Sequence, residues 1–374
     1  MFLNRLILNN YKNIEKTDIL FSNGINCITG NNGAGKTNLL SAIYYLSACK
    51  DYFNTLDTQN ILNEQGFFII DGYFTLTENT VDRVYCAVQR EKGKAVSMNG
   101  KEYQRLSDHI GKIPLVMIAP SDILLIYSGS EDRRKMLNLM ISQFDKSYLN
   151  NVIQYNKALE NKNKALKIMQ DSHKIDNLTL DMYNNHLIKI GIPIYKARET
   201  FMLEFIDVFQ KYYSLISQNG ENAVLEYQSQ LFEGDFSDML ISSRSTELLS
   251  GFTTVGIHKD DLIFSIDART LKKTASQGQQ KTFMIAIKLA YYDYAAKKTG
   301  IKPILLLDDI FDKLDPERVS KIVELVADDH FGQILITDAN KIRMEKILER
   351  LKTDYKIFSV SCGRFVELKI KNKK

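Results

Sequence analysis

The chain has 374 residues, 44% hydrophobic and 25% charged. These are the proportions of an ordinary globular protein, long enough for two domains or for one domain carrying a large insertion. The net charge of +4 permits a nucleic-acid partner without arguing for one, and no apolar run approaches the roughly 20 residues a membrane span needs. Met1–Leu8 lacks a small-residue cleavage site and reads as a strand, and Cys27, Cys49, Cys86 and Cys362 form no CxxC pair. The expectation is a cytoplasmic protein without a zinc site or disulfide framework.

Residues 2–9, 17–21 and 25–29 read as short strands, with Asn10-Tyr11-Lys12-Asn13 as a polar loop. Gly30-Asn31-Asn32-Gly33-Ala34-Gly35-Lys36-Thr37 then fills every fixed position of a phosphate-binding loop between a buried strand and a helix. Its glycines let backbone N–H groups curl toward phosphate oxygens, and the helix N-terminus adds its dipole. Lys36 is placed for the β/γ-phosphates and the Thr37 hydroxyl for Mg²⁺. A nucleoside triphosphate is the expected ligand.

The following helix, 38–46, gathers Leu39, Leu40, Ile43 and Leu46 on one face. Strands are expected at 67–77 and 81–89, and Asn99-Gly100 marks a hairpin. A buried strand at 114–119 runs into Pro120-Ser121-Asp122, where Ser121 or Asp122 is placed to cap a helix.

Residues 131–218 are helical in pattern. One helix, about 146–170, carries a thin stripe of Leu149, Val152, Leu159 and Leu166. A second, near 40 residues, spaces Leu187, Ile190, Ile194, Phe201 and Phe205 by threes and fours. Its length is about 60 Å, with Pro193 as the expected kink. Joined near 171–177, the two predict an antiparallel arm, with a helical bundle as the alternative or coexisting packing.

From about 250 the β/α alternation returns. Strands are expected at 261–267, 302–308, 333–337, 355–360 and 365–370, and helices at 278–298, 316–326 and 341–351. The domain reading is an N-terminal head lobe (1–128), a helical insertion (129–248) and a C-terminal head lobe (249–374).

Pro303-Ile304-Leu305-Leu306-Leu307-Asp308-Asp309 describes a buried strand ending in two carboxylates. In such a Walker B arrangement Asp308 holds Mg²⁺ and Asp309 orients or deprotonates the attacking water. Ser276-Gln277-Gly278-Gln279-Gln280-Lys281 opens the long helix just upstream. Alone it reads as a helix cap; ahead of a Walker B strand it is similar to the signature of an ABC-type ATPase, with Leu314-Asp315 similar to the D-loop. Thr337-Asp338 stands where many such ATPases place a switch histidine. In that class the signature meets ATP bound to a second head, so one chain must dimerise around two ATP molecules to complete either site.

Over essentially its whole length the chain resembles the RecF family. Asn10-Tyr11-Lys12-Asn13 and the Asn38-Leu39-Leu40 continuation of the phosphate loop carry the likeness, as do Ala119-Pro120-Ser121-Asp122, Gly129–Leu137 and Gly256–Leu262. Lys12 and Lys259 replace arginines of the family pattern, Ile257 a proline and Ser41 a glutamate. Asp51-Tyr52-Phe53-Asn54 lacks the serine-x-arginine often found there. The resemblance implies an α/β, SMC-like ATPase head with an inserted helical arm, and adds Lys12 and Asn13 to the nucleotide site. It implies a slow ATPase that dimerises with ATP on single-stranded, gapped or junction DNA, associated with the nucleoid. RecO and RecR are the implied partners, with RecA loading and SOS induction as the outcome. Candidate DNA-facing residues are Lys157, Lys162, Lys164 and Lys167, and Lys369, Lys371, Lys373 and Lys374.

The alternative is an ABC-type ATPase subunit serving another machine, such as a transporter; there the signature usually lies about a hundred residues after the phosphate loop. Gly35 and Ser276 are far more widely separated. A P-loop kinase would not account for 276–281 or for the arm.

Overall fold

The computed structural model describes residues 1–53, 55–77, 80–217, 220–311, 314–327, 330–349 and 354–371. Asn54, Leu351, Lys373 and Lys374, named above, lie outside them. The chain begins with β1 (Phe2–Tyr11), β2 (Ile14–Leu20), β3 (Ile25–Thr29), α1 (Lys36–Ala48), β4 (Phe67–Thr77), β5 (Thr80–Gln89), β6 (Gly93–Met98), β7 (Lys101–Glu102) and β8 (Leu115–Ile118). Next come α2 (Leu124–Tyr127), α3 (Ser130–Ser142), α4 (Lys146–Ser172), α5 (Asn177–Ile216), β9 (Ala223–Gln228), α6 (Phe236–Ser242), α7 (Arg244–Ser250), β10 (Asp261–Ile266), β11 (Arg269–Thr270) and α8 (Leu271–Thr274). It closes with α9 (Gln277–Thr299), β12 (Ile304–Asp308), α10 (Pro316–Ala327), β13 (Ile334–Asp338), α11 (Lys341–Glu349), β14 (Tyr355–Ser361) and β15 (Arg364–Lys371).

Two compact units result. One comprises Met1–Ile123, Tyr212–Asn219 and Ser276–Lys374, the other Leu124–Lys211 and Gly220–Ala275. The expected boundaries at 129 and 248 therefore shift. β9, a six-residue strand in a stretch where the sequence predicts no element, pairs antiparallel with β10 from Ala223↔Ile266 to Gln228↔Asp261. That pairing keeps 249–275 with the inserted unit.

The first unit holds a sheet in the order β15-β14-β3-β13-β12-β8, parallel except for the β15 edge. Its inner strands are buried along their length and mostly apolar, because both faces are covered. A second, antiparallel sheet runs β2-β1-β4-β5-β6-β7. Its β6–β7 hairpin turns on Asn99 and Gly100, both at positive φ as a type I′ turn requires.

Two expectations are corrected in this unit. The polar loop at 10–13 begins later, because β1 continues to Tyr11, which is buried edge-to-face against Phe68 with ring centroids 5.2 Å apart. An aromatic body with a polar tip suits a buried strand end. Asp122 does not cap a helix. It turns back to accept from Ala119 N at 2.9 Å and from Tyr52 Oη, and Lys288 Nζ lies 3.3 Å away.

In the second unit α4 and α5 run antiparallel. Tyr148 meets Arg198, Tyr155 faces Gly191, and Leu166 packs on Leu180, so the partner number falls as the chain climbs. A Cβ at Gly191 would sit 3.1 Å from the Tyr155 ring and 2.9 Å from Phe236, which explains the glycine in mid-helix. α5 spans 40 residues and includes Pro193. The helical pair is also packed into a larger body: Asn163 Oδ1 accepts from Thr253 N at 2.8 Å and Lys162 pairs with Glu247 on α7 at 2.7 Å. Arm and bundle therefore coexist.

The segment Gly256–Leu262 is the hub of this unit. Arg198 Nη1 donates to Ile257 O and to Asp260, Tyr227 Oη donates to Asp260, and Arg133 grips Asp261 at 2.7 and 2.8 Å. His258 Nε2 donates to Thr253 O at 3.1 Å, which leaves Nδ1 to accept from Tyr155 Oη at 3.0 Å and fixes a neutral ring.

Lys162 is corrected as a DNA-facing residue: its side chain is 1% exposed and Glu247 is 2% exposed. Lys157, Lys164 and Lys167 do lie on the surface. Removing one partner of a buried ion pair strands the other charge, so Lys162→Met should cost about 3 kcal/mol in urea unfolding. Adding Glu247→Leu should recover most of that loss.

A pH dependence follows from His258, whose pKa burial lowers to about 4. The unfolded chain takes up this proton near pH 6.5, so between 6.5 and 4 it binds more protons than the folded chain. Stability should fall across that window by at most about 3 kcal/mol. His258→Gln should flatten the fall when melting is followed against pH.

Candidate nucleotide site

The site is assembled where parallel strands end. β13 lies between β3 and β12, with Thr337 opposite Ile28 on one side and Asp308 on the other. The carboxyl edge of such a sheet is where open α/β folds bind ligands. β3 delivers the chain to Gly30, where a Cβ would fall 2.4 Å from Val360 O, so the strand leaves the sheet against backbone only glycine tolerates. Gly33 and Gly35 take φ of 79° and 115° to turn the loop into α1.

The loop is fastened from outside. Gly363 N donates to Ala34 O at 2.9 Å, and Asn13 Nδ2 donates to Gly33 O at 3.1 Å. Asn38 Nδ2 donates to Asn13 Oδ1 at 2.7 Å. Lys36 Nζ donates to Gly30 O at 2.6 Å and Asn31 O at 3.0 Å, folded over the loop's own carbonyls. Asn31, Asn32 and Gly33 face solvent, while Ala34, Gly35 and Lys36 are buried. Gly35, the N-cap of α1, offers no side-chain cap, and the first turn carries no acidic residue, which suits an anion at this helix end.

Thr37 Oγ1 donates to the two Asp308 oxygens at 3.0 and 2.9 Å, and Thr337 Oγ1 donates to Oδ1 at 2.7 Å. Asp308 is 3% exposed, and burial raises its pKa against the pull of these two hydroxyls. A hydroxyl and a carboxylate sharing one point are hard oxygen donors, as Mg²⁺ prefers, and Mg²⁺ needs few protein ligands when phosphates supply the rest. Thr37 and Asp308 therefore fit the ion expected from the sequence. Asp309 follows in left-handed backbone, φ 45°, its N–H directed at Thr337 Oγ1 at 3.0 Å. Thr337 thus touches both Walker B residues. The sequence marked that position only as a missing histidine.

Lys12 sits differently from the phosphate contact expected of it. Its ammonium donates to Asp51 at 2.8 Å and to Ser41 Oγ at 3.1 Å. The sequence marked Asp51 only as part of a departure from the family pattern, because a single aspartate carries no spacing that points to Lys12.

Ser276 caps α9: its Oγ accepts from Gln279 N at 3.2 Å, and Gln279 Oε1 accepts from Ser276 N at 2.7 Å. This reciprocal box is the cap reading of the segment. Ser276 and Gln277 are nevertheless exposed, so the turn presents a surface. A Cβ on Gly278 would meet Arg318 Nη1 at 2.7 Å. Asp315 caps α10, accepting from Arg318 N at 2.9 Å, and is itself exposed.

A glycine loop and buried helix set beside a carboxylate at the end of a mixed sheet, with a serine–glycine helix start upstream of that carboxylate, define an ABC-type head of the SMC kind. Residues 2–361 match the family model described as RecF/RecN/SMC N terminal domain. The DNA replication and repair protein RecF of Phocaeicola vulgatus is 46% identical over 371 residues, covering 99% of each chain. That of Flavobacterium johnsoniae is 45% identical over 360 residues, covering 96% of this chain and all of the relative. A solved structure of the recombination mediator protein RecF with ATPrS, in the RecFOR pathway, superposes with a TM-score of 0.85 at 26% identity over 98% of both chains. A Pyrococcus furiosus Smc head shares the fold with a TM-score of 0.59 at 16% identity. The chain belongs to the RecF family of DNA replication and repair proteins.

Thr337→Val keeps the side-chain shape but removes a buried donor from Asp308 and a buried acceptor from Asp309 N–H. It should lower unfolding stability by about 1–3 kcal/mol, and Thr337→Ser should not.

Proposed function

We propose that this chain is a slow, ATP-driven switch acting on DNA in replication and recombinational repair. The observation that carries the reading is the meeting of Thr37 and Asp308 beside the phosphate loop, residues 271 apart in sequence. The likeness to a RecF relative solved with ATPrS in the RecFOR pathway supports ATP as the nucleotide and RecO and RecR as partners.

On this reading Lys36 leaves the carbonyls of Gly30 and Asn31 for the β/γ-phosphates, and the loop N–H groups from Asn31 to Thr37 take the remaining oxygens. Thr37 and Asp308 would hold Mg²⁺, which would supply charge neutralisation to the phosphates. Asp309 orients the attacking water. Ser276, Gly278 and Gln279, at the exposed start of α9, meet the γ-phosphate held by a second copy, and Asp315 lines the same contact. ATP is then a clamp between two copies, and hydrolysis releases it. DNA with a gap or a single-strand/duplex junction is the proposed target, in the cytoplasm at the nucleoid, upstream of RecA loading and SOS induction. Lys157, Lys164 and Lys167 are exposed along α4, Lys164 in an ion pair with Glu160 at 2.6 Å. If they carry the DNA contact, affinity falls steeply with salt.

Sizing the protein with and without ATP and a gapped duplex tests the scheme. Two copies should associate only with ATP, and Lys36→Met should abolish association. Asp309→Asn should bind ATP and accumulate as the dimer; rapid turnover by it contradicts the role given to Asp309. Ser276→Arg should bind ATP as a monomer and fail to dimerise. Loss of ATP binding in that variant would sink the shared site.

A further inference from the structure

Asp51 is a buried carboxylate that belongs to none of the motifs. Its side chain is 0% exposed. Oδ1 accepts from Lys12 Nζ at 2.8 Å, from Ser41 Oγ, and from Tyr11 Oη at 3.4 Å; Oδ2 accepts from Phe53 N at 3.0 Å and Thr55 Oγ1 at 2.8 Å. The Lys12 ammonium also lies over the rings of Tyr11 and Phe53, 5.5 and 5.3 Å from their centroids. Burial alone would raise the Asp51 pKa, but the hydrogen bonds from Lys12 and Ser41 and the Lys12 charge outweigh it and hold the carboxyl below its ordinary range.

The pair has a mechanical consequence. Lys12 is in left-handed backbone, φ 52°, which a β-carbon disfavours. That conformation turns the chain so that the next residue, Asn13, reaches Gly33 O at 3.1 Å and Asn38 at 2.7 Å. Ser41, the other partner of Lys12, sits on α1 one turn beyond Lys36 and Thr37. A strained turn persists only where its surroundings over-determine it, and a neutralised ammonium tied to a helix does that.

We infer that Asp51 is a positioning residue of the nucleotide site: it fastens Lys12 to α1, and the turn at Lys12 sets Asn13 against the phosphate loop. The inference rests on the nucleotide reading above. It makes Lys12 a strut whose charge is already matched, and passes the contact with the loop to Asn13. Ser41 Oγ lies 3.1 Å from Lys12 Nζ, so a carboxylate placed at 41 would meet the same ammonium from the helix.

The test is a double-mutant cycle on full-length protein, with ATP affinity from titration of a fluorescent ATP analogue and melting temperature recorded alongside. Asp51→Asn should weaken binding about tenfold, and Asn13→Ala by a similar factor. The double variant should be no weaker than about the worse single one, since Asn13 is already misplaced when Asp51 is gone. The exchange Ser41→Asp with Asp51→Ser should restore affinity to within about threefold, because the ion pair is kept and only its origin moves. Wild-type affinity in Asp51→Asn, or full additivity in the double variant, overturns the inference even if the melting temperature falls. If Asp51→Asn does not fold, the exchange variant decides: folded with affinity kept supports it, folded with affinity lost overturns it. A wild-type chain that takes up no nucleotide overturns the nucleotide reading and this inference together; one that binds, with Asp51→Asn binding equally, overturns this inference alone.

Discussion

A single hydroxyl–carboxylate meeting, Thr37 on Asp308, fixes most of what the first unit must be. The two residues arise at opposite ends of the chain, one at the start of α1 and the other at the end of β12. They meet only if β3 and β12 run parallel in one sheet with β13 between them. Parallel strands demand long crossovers, and those crossovers leave room for a whole second unit between β8 and α9. The buried apolar strands hold the edge in register, and the edge in turn sets the two oxygen groups within 3 Å of each other.

The inserted unit is organised by charge to an unusual degree. Arg198 with Asp260 and Lys162 with Glu247 are both sealed from solvent, each joining a long helix to the segment 247–261. Well-packed apolar side chains would serve stability as well or better. What an ion pair adds is direction: a helix with as thin an apolar stripe as α4 can slide by a turn at little apolar cost, whereas a buried guanidinium or ammonium cannot abandon its carboxylate. On that argument the pairs set the register of α4 and α5, in the manner attested for polar positions in coiled coils.

Much of this was legible in the sequence because local patterns carried it. The phosphate loop, the apolar run into Asp308, the Asn99-Gly100 turn and the 40-residue stripe of α5 each depend on residues close in sequence, and each stands where its pattern placed it. What escaped depends on pairing at a distance. β9 has no strand signature strong enough to stand out beside α5, and only its partner β10 makes it a strand. Lys162 looks like any surface lysine on a helix until Glu247 arrives from 85 residues away. Asp51 is an ordinary polar residue until β1 brings Lys12 to it. A spacing rule sees one helix face or one loop, and it has no access to the far side of a contact.

Ser276 shows how one residue can satisfy two readings that the sequence set against each other. As a cap it only accepts, taking the Gln279 N–H on one lone pair. A serine hydroxyl that accepts still has its proton to donate. The cap therefore does not compete with a phosphate ligand; it holds the hydroxyl at the helix N-terminus, where an anion is favoured by the same dipole. Gly278 beside it leaves space that a side chain would fill against Arg318. On the proposed scheme the cost of ordering this turn is met within the monomer, so a second copy would find the donors already in place. Preorganisation of that kind favours association through less entropy lost at docking, not through additional contacts.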